Sequence, residues 1–305
     1  MKSFHAIVAP IFLLFLSSVT VFGVGPAAGF YLPDSVSEMT LKYKTMRGLV
    51  ILPVTINDSI QVNLILDTGC RNLILFGKKF KKLLPINSGK AVEFSGLGNG
   101  RPVRGSLSLG NKVSIREVLG EQIPVVVVGS NNLFGICPNV DGVIGYDIFL
   151  KFEIELNPNL RTITFRPAMK STPPTGYTQV PIRIIDSRPI MASQVYLYRD
   201  ASKSLDLMID TGSSLGLLLK TTKISELISS RNENVLGIGF NGRLSGYHLT
   251  SERLLLASLS IHDVPTGIVS SPWHNNASLG MQVLKDYILV LNYCKSYACF
   301  KKYDA

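Results

Sequence analysis

The chain has 305 residues and a formal charge of +10, from 31 Lys and Arg against 21 Asp and Glu. Its 46% hydrophobic and 17% charged residues exclude intrinsic disorder, which needs low hydrophobicity and high charge, and its 26 glycines lack the three-residue period of collagen. A length near twice that of a typical domain suggests two domains. The basic residues are scattered. Their densest cluster, Lys78-Lys79-Phe80-Lys81-Lys82, reads as a solvated helix face. No nucleic-acid-binding module accompanies it, so no nucleic-acid partner is expected.

The chain opens with Lys2, followed by an almost wholly apolar run from Ile7 to Phe22 and the small residues Gly23, Ala27 and Ala28. Residues 1–24 read as a secretory signal peptide, with residues 25–40 as an N-terminal linker. The expected location is outside the cytoplasm: periplasmic, secreted or at the cell surface. A membrane association is expected only if the segment stays uncleaved. Export permits disulfides, and Cys70, Cys137, Cys294 and Cys299 allow three connectivities. Their spacing is not that of a zinc site.

Short strands follow in close order. Leu49 to Ile56 and Ile60 to Leu66 flank Asn57-Asp58-Ser59, which suits a hairpin turn. Lys78 to Leu84 suggests a short helix. Val125 to Val128 is a β-branched run. Single helical turns are expected after Gly145 and Gly280, and a helix over Thr221 to Ser229. Phe152 to Leu156 and Arg161 to Phe165 alternate around an Asn-Pro-Asn turn, and Asp286 to Leu291 repeats that style. Many short strands and few helices point to closed or sandwiched β architecture.

The chain also repeats itself. Leu64-Ile65-Leu66-Asp67-Thr68-Gly69-Cys70 returns as Leu207-Met208-Ile209-Asp210-Thr211-Gly212-Ser213, offset by 143. Gly96-Leu97-Gly98-Asn99-Gly100 returns as Gly237-Ile238-Gly239-Phe240-Asn241-Gly242 at 141, and Val143-Ile144-Gly145 as Ser278-Leu279-Gly280 at 135. Three features in the same order at nearly constant spacing imply two similar lobes. They are placed at residues 41–168 and 178–305, joined by a linker at 169–177.

An apolar strand that delivers an Asp to a tight turn holds a carboxylate against the core, where desolvation shifts its pKa. Two such turns brought together cannot both ionise. They share a proton, and one serves as general base and the other as general acid. The other candidates are weak. His5, His248, His262 and His274 fit no HExxH pattern, and no Gly-x-Ser-x-Gly elbow, Walker loop or Rossmann fingerprint is present.

On these motifs the sequence resembles the retropepsin-like branch of the aspartic proteases, in a tandem, exported form, and the resemblance spans both lobes. It implies an all-β fold of two acid-protease β-barrel lobes with a cleft between them and few short helices. It implies an aspartic endopeptidase acting on peptides or proteins, with Asp67 and Asp210 as the catalytic pair. Thr68, Gly69, Thr211, Gly212 and Ser213 would support them, the two Thr hydroxyls bonding across the interface. Gly96, Leu97 and Gly98, with Gly237, Ile238 and Gly239, would form flaps over the substrate. Cys70 departs from the Ser, Thr or Ala usual after the first motif. No metal or cofactor is implied, and one chain carrying both loops is expected to work as a monomer. The alternative is a catalytically silent scaffold that binds peptides or proteins in the same cleft.

Overall fold

The computed structural model describes residues 28–94, 98, 100–129, 137, 139–198, 201–222, 233–270 and 276–303. The expected signal segment, Gly96, Leu97, His274 and most of the helix expected over Thr221 to Ser229 lie outside these residues, although Thr221 itself ends a strand.

The repeat has a three-dimensional counterpart. In the first half, the strands Leu49–Ile56, Ile60–Leu66, Gly142–Ile144, Leu73–Phe76, Val118–Val128 and Val103–Ile115 pair in that order, and the last pairs back onto the first. In the second half, Arg188–Tyr198, Ala201–Asp210, Asn276–Gly280, Leu217–Thr221, Leu259–Ser270 and Gly242–Leu256 close the same circuit. Each ring removes its own sheet edges. The expected all-β fold with two barrel lobes is thus the observed one.

The sequence explains the strands. Leu64, Ile65 and Leu66, consecutive in the chain, are all buried. Such a continuous apolar run is what a strand covered on both faces requires. The first hairpin turns at Asn57 and Asp58 with φ of 49° and 61°, a left-handed conformation that Asn and Asp tolerate better than most residues. In the second half Asp186 and Ser187, at φ 48° and 69°, form a two-residue turn between Ile185 and Arg188. Two consecutive residues at positive φ match the right-handed twist of the flanking strands. Helices are confined to Lys78–Leu83, Tyr146–Phe149 and Met281–Leu284 among the described residues. The last two are the single turns expected after Gly145 and Gly280.

A third layer links the two rings. Thr178–Ile185, Tyr297–Lys302, Tyr287–Asn292, Phe152–Asn157, Thr162–Pro167 and Met39–Lys42 pair in that order. Strands from the first half therefore lie in one sheet with strands from the second, with Ile154 opposite Leu291. Buried polar groups tie this sheet together. Asn292 Nδ2 donates to the Ala168 carbonyl at 2.9 Å, and the Tyr297 hydroxyl donates to Glu153. One expectation needs correcting here: residues 25–40 are not merely a linker. Gly29–Tyr31 pairs with Val118–Val128, and Met39 begins a strand of the linking sheet. Phe30 and Met39 are buried, so their apolar side chains and paired backbone hold the segment down.

Candidate active site

The two Asp-Thr-Gly turns meet where the rings adjoin. Asp67 follows the strand Ile60–Leu66, and Asp210 ends the strand Ala201–Asp210. Each is held by the apolar-apolar-Gly element of its own half. Ile144 runs parallel beside Leu66, and the Asp67 N–H donates to the Ile144 carbonyl at 2.9 Å. The Tyr146 N–H then donates to the Cys70 carbonyl at 2.9 Å. In the second half Asp210 lies opposite Gly280, and the Met281 N–H donates to the Ser213 carbonyl at 2.8 Å. Gly145 has to be glycine, since a Cβ there would run into the Cys70 carbonyl oxygen and lie 2.7 Å from that of Asp67.

The turns lock each other reciprocally. The Thr68 hydroxyl donates to the Ile209 carbonyl at 2.6 Å and accepts the Thr211 N–H at 3.0 Å. The Thr211 hydroxyl donates to the Leu66 carbonyl at 2.8 Å and accepts the Thr68 N–H at 3.1 Å. Both threonines are fully buried. Each aspartate accepts a backbone N–H two residues on: Asp67 from Gly69 at 2.7 Å, Asp210 from Gly212 at 3.2 Å. The carboxylates converge. One point, where a Cβ on Gly69 would sit, lies 3.1 Å from an oxygen of Asp67 and 3.5 Å from one of Asp210. A Cβ on Gly212 would overlap the Asp67 carboxyl group itself.

Electrostatics follow from this burial. Asp67 and Asp210 are only 8% and 6% exposed. Burial pushes the Asp67 carboxyl above the usual range, opposed by the Gly69 N–H and the Arg188 charge. Burial does the same to Asp210, and the neighbouring Asp67 carboxylate adds to it. The Gly212 N–H, Lys220 and Arg188 oppose that rise.

The four cysteines are free thiols. Burial and the Asp67 carboxylate push the Cys70 thiol up, so it stays neutral, and it donates to the Asn72 carbonyl at 3.1 Å rather than to an aspartate. Ser213 Oγ accepts the Leu215 N–H at 3.3 Å.

Hairpins of the two halves touch. Gly237, Ile238 and Gly239 end the strand Asn234–Gly239, which turns through Phe240 and Asn241 into Gly242–Leu256. The Gly98 N–H donates to Asn241 Oδ1 at 2.7 Å, and Asn241 Nδ2 donates to the Gly100 carbonyl at 3.1 Å. The Phe240 ring lies 5.8 Å from that of Phe76.

Residues 52–148 match the family model described as aspartyl protease. The chain carries an aspartic-protease domain. The matched stretch holds Asp67-Thr68-Gly69 and Val143-Ile144-Gly145, two of the motifs that carry the resemblance. The second Asp-Thr-Gly lies outside the matched residues. No curated protein matches the chain.

Sequence reasoning missed Arg188, Lys220 and Asn241. Arg188 Nε donates to the Gly69 carbonyl at 3.4 Å, and the Lys220 charge acts on Asp210. Two signals could have found them. A cation stands just before the first hairpin of each half, as Arg47-Gly48-Leu49 and Arg188-Pro189-Ile190. Asn241 sits inside the repeated Gly-rich element.

Proposed function

We propose that the chain is an aspartic endopeptidase in which Asp67 and Asp210 share one proton and activate a water molecule. The observation that carries this reading is the reciprocal Thr68–Thr211 lock, which holds two buried carboxyl groups face to face. Such a pair ionises once, not twice, near neutral pH. The Asp67 carboxylate accepts the Gly69 N–H at 2.7 Å, a shorter bond than the 3.2 Å from Gly212 to Asp210, and feels Arg188, so it carries the negative charge. Asp210, raised by burial and by its neighbour, keeps the proton.

In the reaction, Asp67 takes a proton from the water as its oxygen attacks the peptide carbonyl carbon. Asp210 gives its proton to the carbonyl oxygen, which forms a tetrahedral gem-diol. The C–N bond then breaks. Asp67 returns its proton to the leaving amine, and Asp210 regains one from a gem-diol hydroxyl as the acid forms. Residues 41–168 and 178–305 act as the two lobes, and one exported, monomeric chain completes one site.

A silent, peptide-binding version of the scaffold has one observation in its favour. Neither Cys70 nor Ser213 makes a side-chain hydrogen bond to an aspartate among the described residues. Cleavage of denatured casein and a peptide library between pH 3 and 8 separates the two readings. Asp67→Asn and Asp210→Asn should each abolish cleavage while the circular dichroism spectrum stays unchanged. Substantial activity in either variant would refute the dyad.

A further inference from the structure

The two catalytic turns are close copies, but the strands beside them are not. Ile51 lies opposite Ile65, two residues before Asp67, and Ile190 lies opposite Met208, two residues before Asp210. Two residues before each of these, Leu49 and Arg188 therefore hold the same place. The preceding turns agree. Arg47 and Gly48 bring the chain round from Met46 to Leu49, as Asp186 and Ser187 do from Ile185 to Arg188, all four at positive φ. The first half fills this place with a buried leucine and the second with an exposed arginine.

That arginine reaches across to the other half. Its Nε donates to the Gly69 carbonyl at 3.4 Å, and the Gly69 N–H donates to the Asp67 carboxylate at 2.7 Å. Guanidinium and carboxylate are thus bonded to the two ends of one residue. Among the described residues Arg188 has no carboxylate within ion-pair distance. Leu49 has neither charge nor donor to offer the second turn.

We propose that Arg188 is a positioning residue: anchored on the Gly69 carbonyl, its charge breaks the likeness of the two halves and makes Asp67 the base of the pair. The proposal rests on the endopeptidase reading and deepens it. Two equivalent carboxyl groups that share a proton have no built-in preference, so the roles follow whatever differs around them. A cation beside one carboxylate favours its ionised form. Burial raises both aspartates, and Arg188 opposes that rise in each. On Asp67 it is the one cation that acts, whereas Asp210 is raised further by Asp67 and also feels Lys220. The other titratable groups do not set the preference. Cys70 and Tyr293 are pushed up by burial and by Asp67, so they keep their protons. Tyr146 acts on Tyr293, and Asp147, raised by burial against the pull of Arg71, acts on Cys70.

The test uses the full chain and replaces Arg188 by Leu, the residue of the first half, and by Lys, which keeps the charge. Position 188 is exposed, so both variants should fold, as circular dichroism checks. In kcat/KM against pH, Arg188→Leu should move the acid limb up by about half to one pH unit at low salt. Arg188→Lys should leave it near wild type. The gap should shrink in about 1 M salt, where the screening length falls to about 3 Å. If Arg188 only braces the turn, Arg188→Leu loses rate at every pH with its acid limb unmoved, and that result overturns the proposal. So does an acid limb that moves equally in the Leu and Lys variants. The assignment to Asp67 is read without cleavage, by carbon-13 NMR titration of the aspartate left in Asp210→Asn or in Asp67→Asn, its signal identified by its loss in the double Asn variant. Adding Arg188→Leu should raise the Asp67 carboxyl by a larger step than the Asp210 carboxyl. Equal steps, or a larger one at Asp210, overturn the proposal. If wild type cleaves nothing, the endopeptidase reading fails, and the titration still decides what Arg188 does to the pair.

Discussion

Replacing Thr68 by Val tests the lock between the turns with almost no change of shape. Val keeps the branching and volume of Thr, so no cavity is left. What disappears is one hydroxyl that serves two buried backbone groups, the Ile209 carbonyl at 2.6 Å and the Thr211 N–H at 3.0 Å. Thr68 is fully buried, so water cannot take over either bond. Each orphaned group costs about 1–3 kcal/mol, which makes the expected loss on the order of 2–6 kcal/mol. Against a typical folding stability of about 5–15 kcal/mol this is a large fraction. Thr68→Ser keeps the hydroxyl and loses one methyl, at a cost nearer 1 kcal/mol. Urea unfolding followed by far-ultraviolet circular dichroism measures both variants, and casein cleavage follows the catalytic cost of displaced turns. Thr211→Val should behave like Thr68→Val, since its hydroxyl bonds the Leu66 carbonyl and the Thr68 N–H in the same way. Equal stability of the Val and Ser variants at position 68 would refute the argument.

Other outcomes are equally measurable. Because burial raises both carboxyl groups, the folded state holds protons that free aspartates release near pH 3.9. Their contribution to stability is complete below that pH and is lost as pH rises through their raised values. Asp210→Asn should flatten that decline, and an unchanged slope in denaturation from pH 4 to 8 would count against the burial argument. Activity should follow a bell with an acidic to mildly acidic optimum, since one carboxyl must be ionised and the other protonated. A rate that climbs steadily to pH 9 would exclude the dyad. Light scattering with active-site titration should give a monomer that binds one pepstatin-type inhibitor per chain, whereas activity that falls on dilution would point to pairing between chains. Asn241→Ala removes its two hydrogen bonds to Gly98 and Gly100 across the hairpins, so KM should rise several-fold with little change in melting temperature. An unaltered KM would mean that the hairpins close without that side chain.

Much of this was legible in the sequence because it is local. The Asp-Thr-Gly turns, the hairpin at Asn57-Asp58 and the single helical turns after Gly145 and Gly280 are all set by neighbours in the chain. Repetition then supplied what a single motif lacks, since two equivalent turns imply two equivalent surroundings. The linking sheet was not legible. Phe152–Asn157 meets Tyr287–Asn292 from the far end of the chain, and alternating apolar residues say that a strand exists without naming its neighbour. The segment from Gly29 to Lys42 looked like a linker for the same reason: its strands are too short to show a period.

The linking sheet also sets the order of events as the chain emerges during synthesis. The first ring contains only residues up to Ile144, so it can close while the second half is still unmade. Phe152–Asn157 must then wait, with one edge unpaired, until Tyr287–Asn292 exists. Thr178–Ile185 waits likewise for Tyr297–Lys302. Such long-range pairings form late, because a large loop must close before they return any stabilisation. The second Asp-Thr-Gly turn depends on Asn276–Gly280 as well. A nascent or truncated chain therefore has one aspartate in place and no partner for it. The two carboxyl groups come together only after Asn276–Gly280 has taken its place beside the second turn.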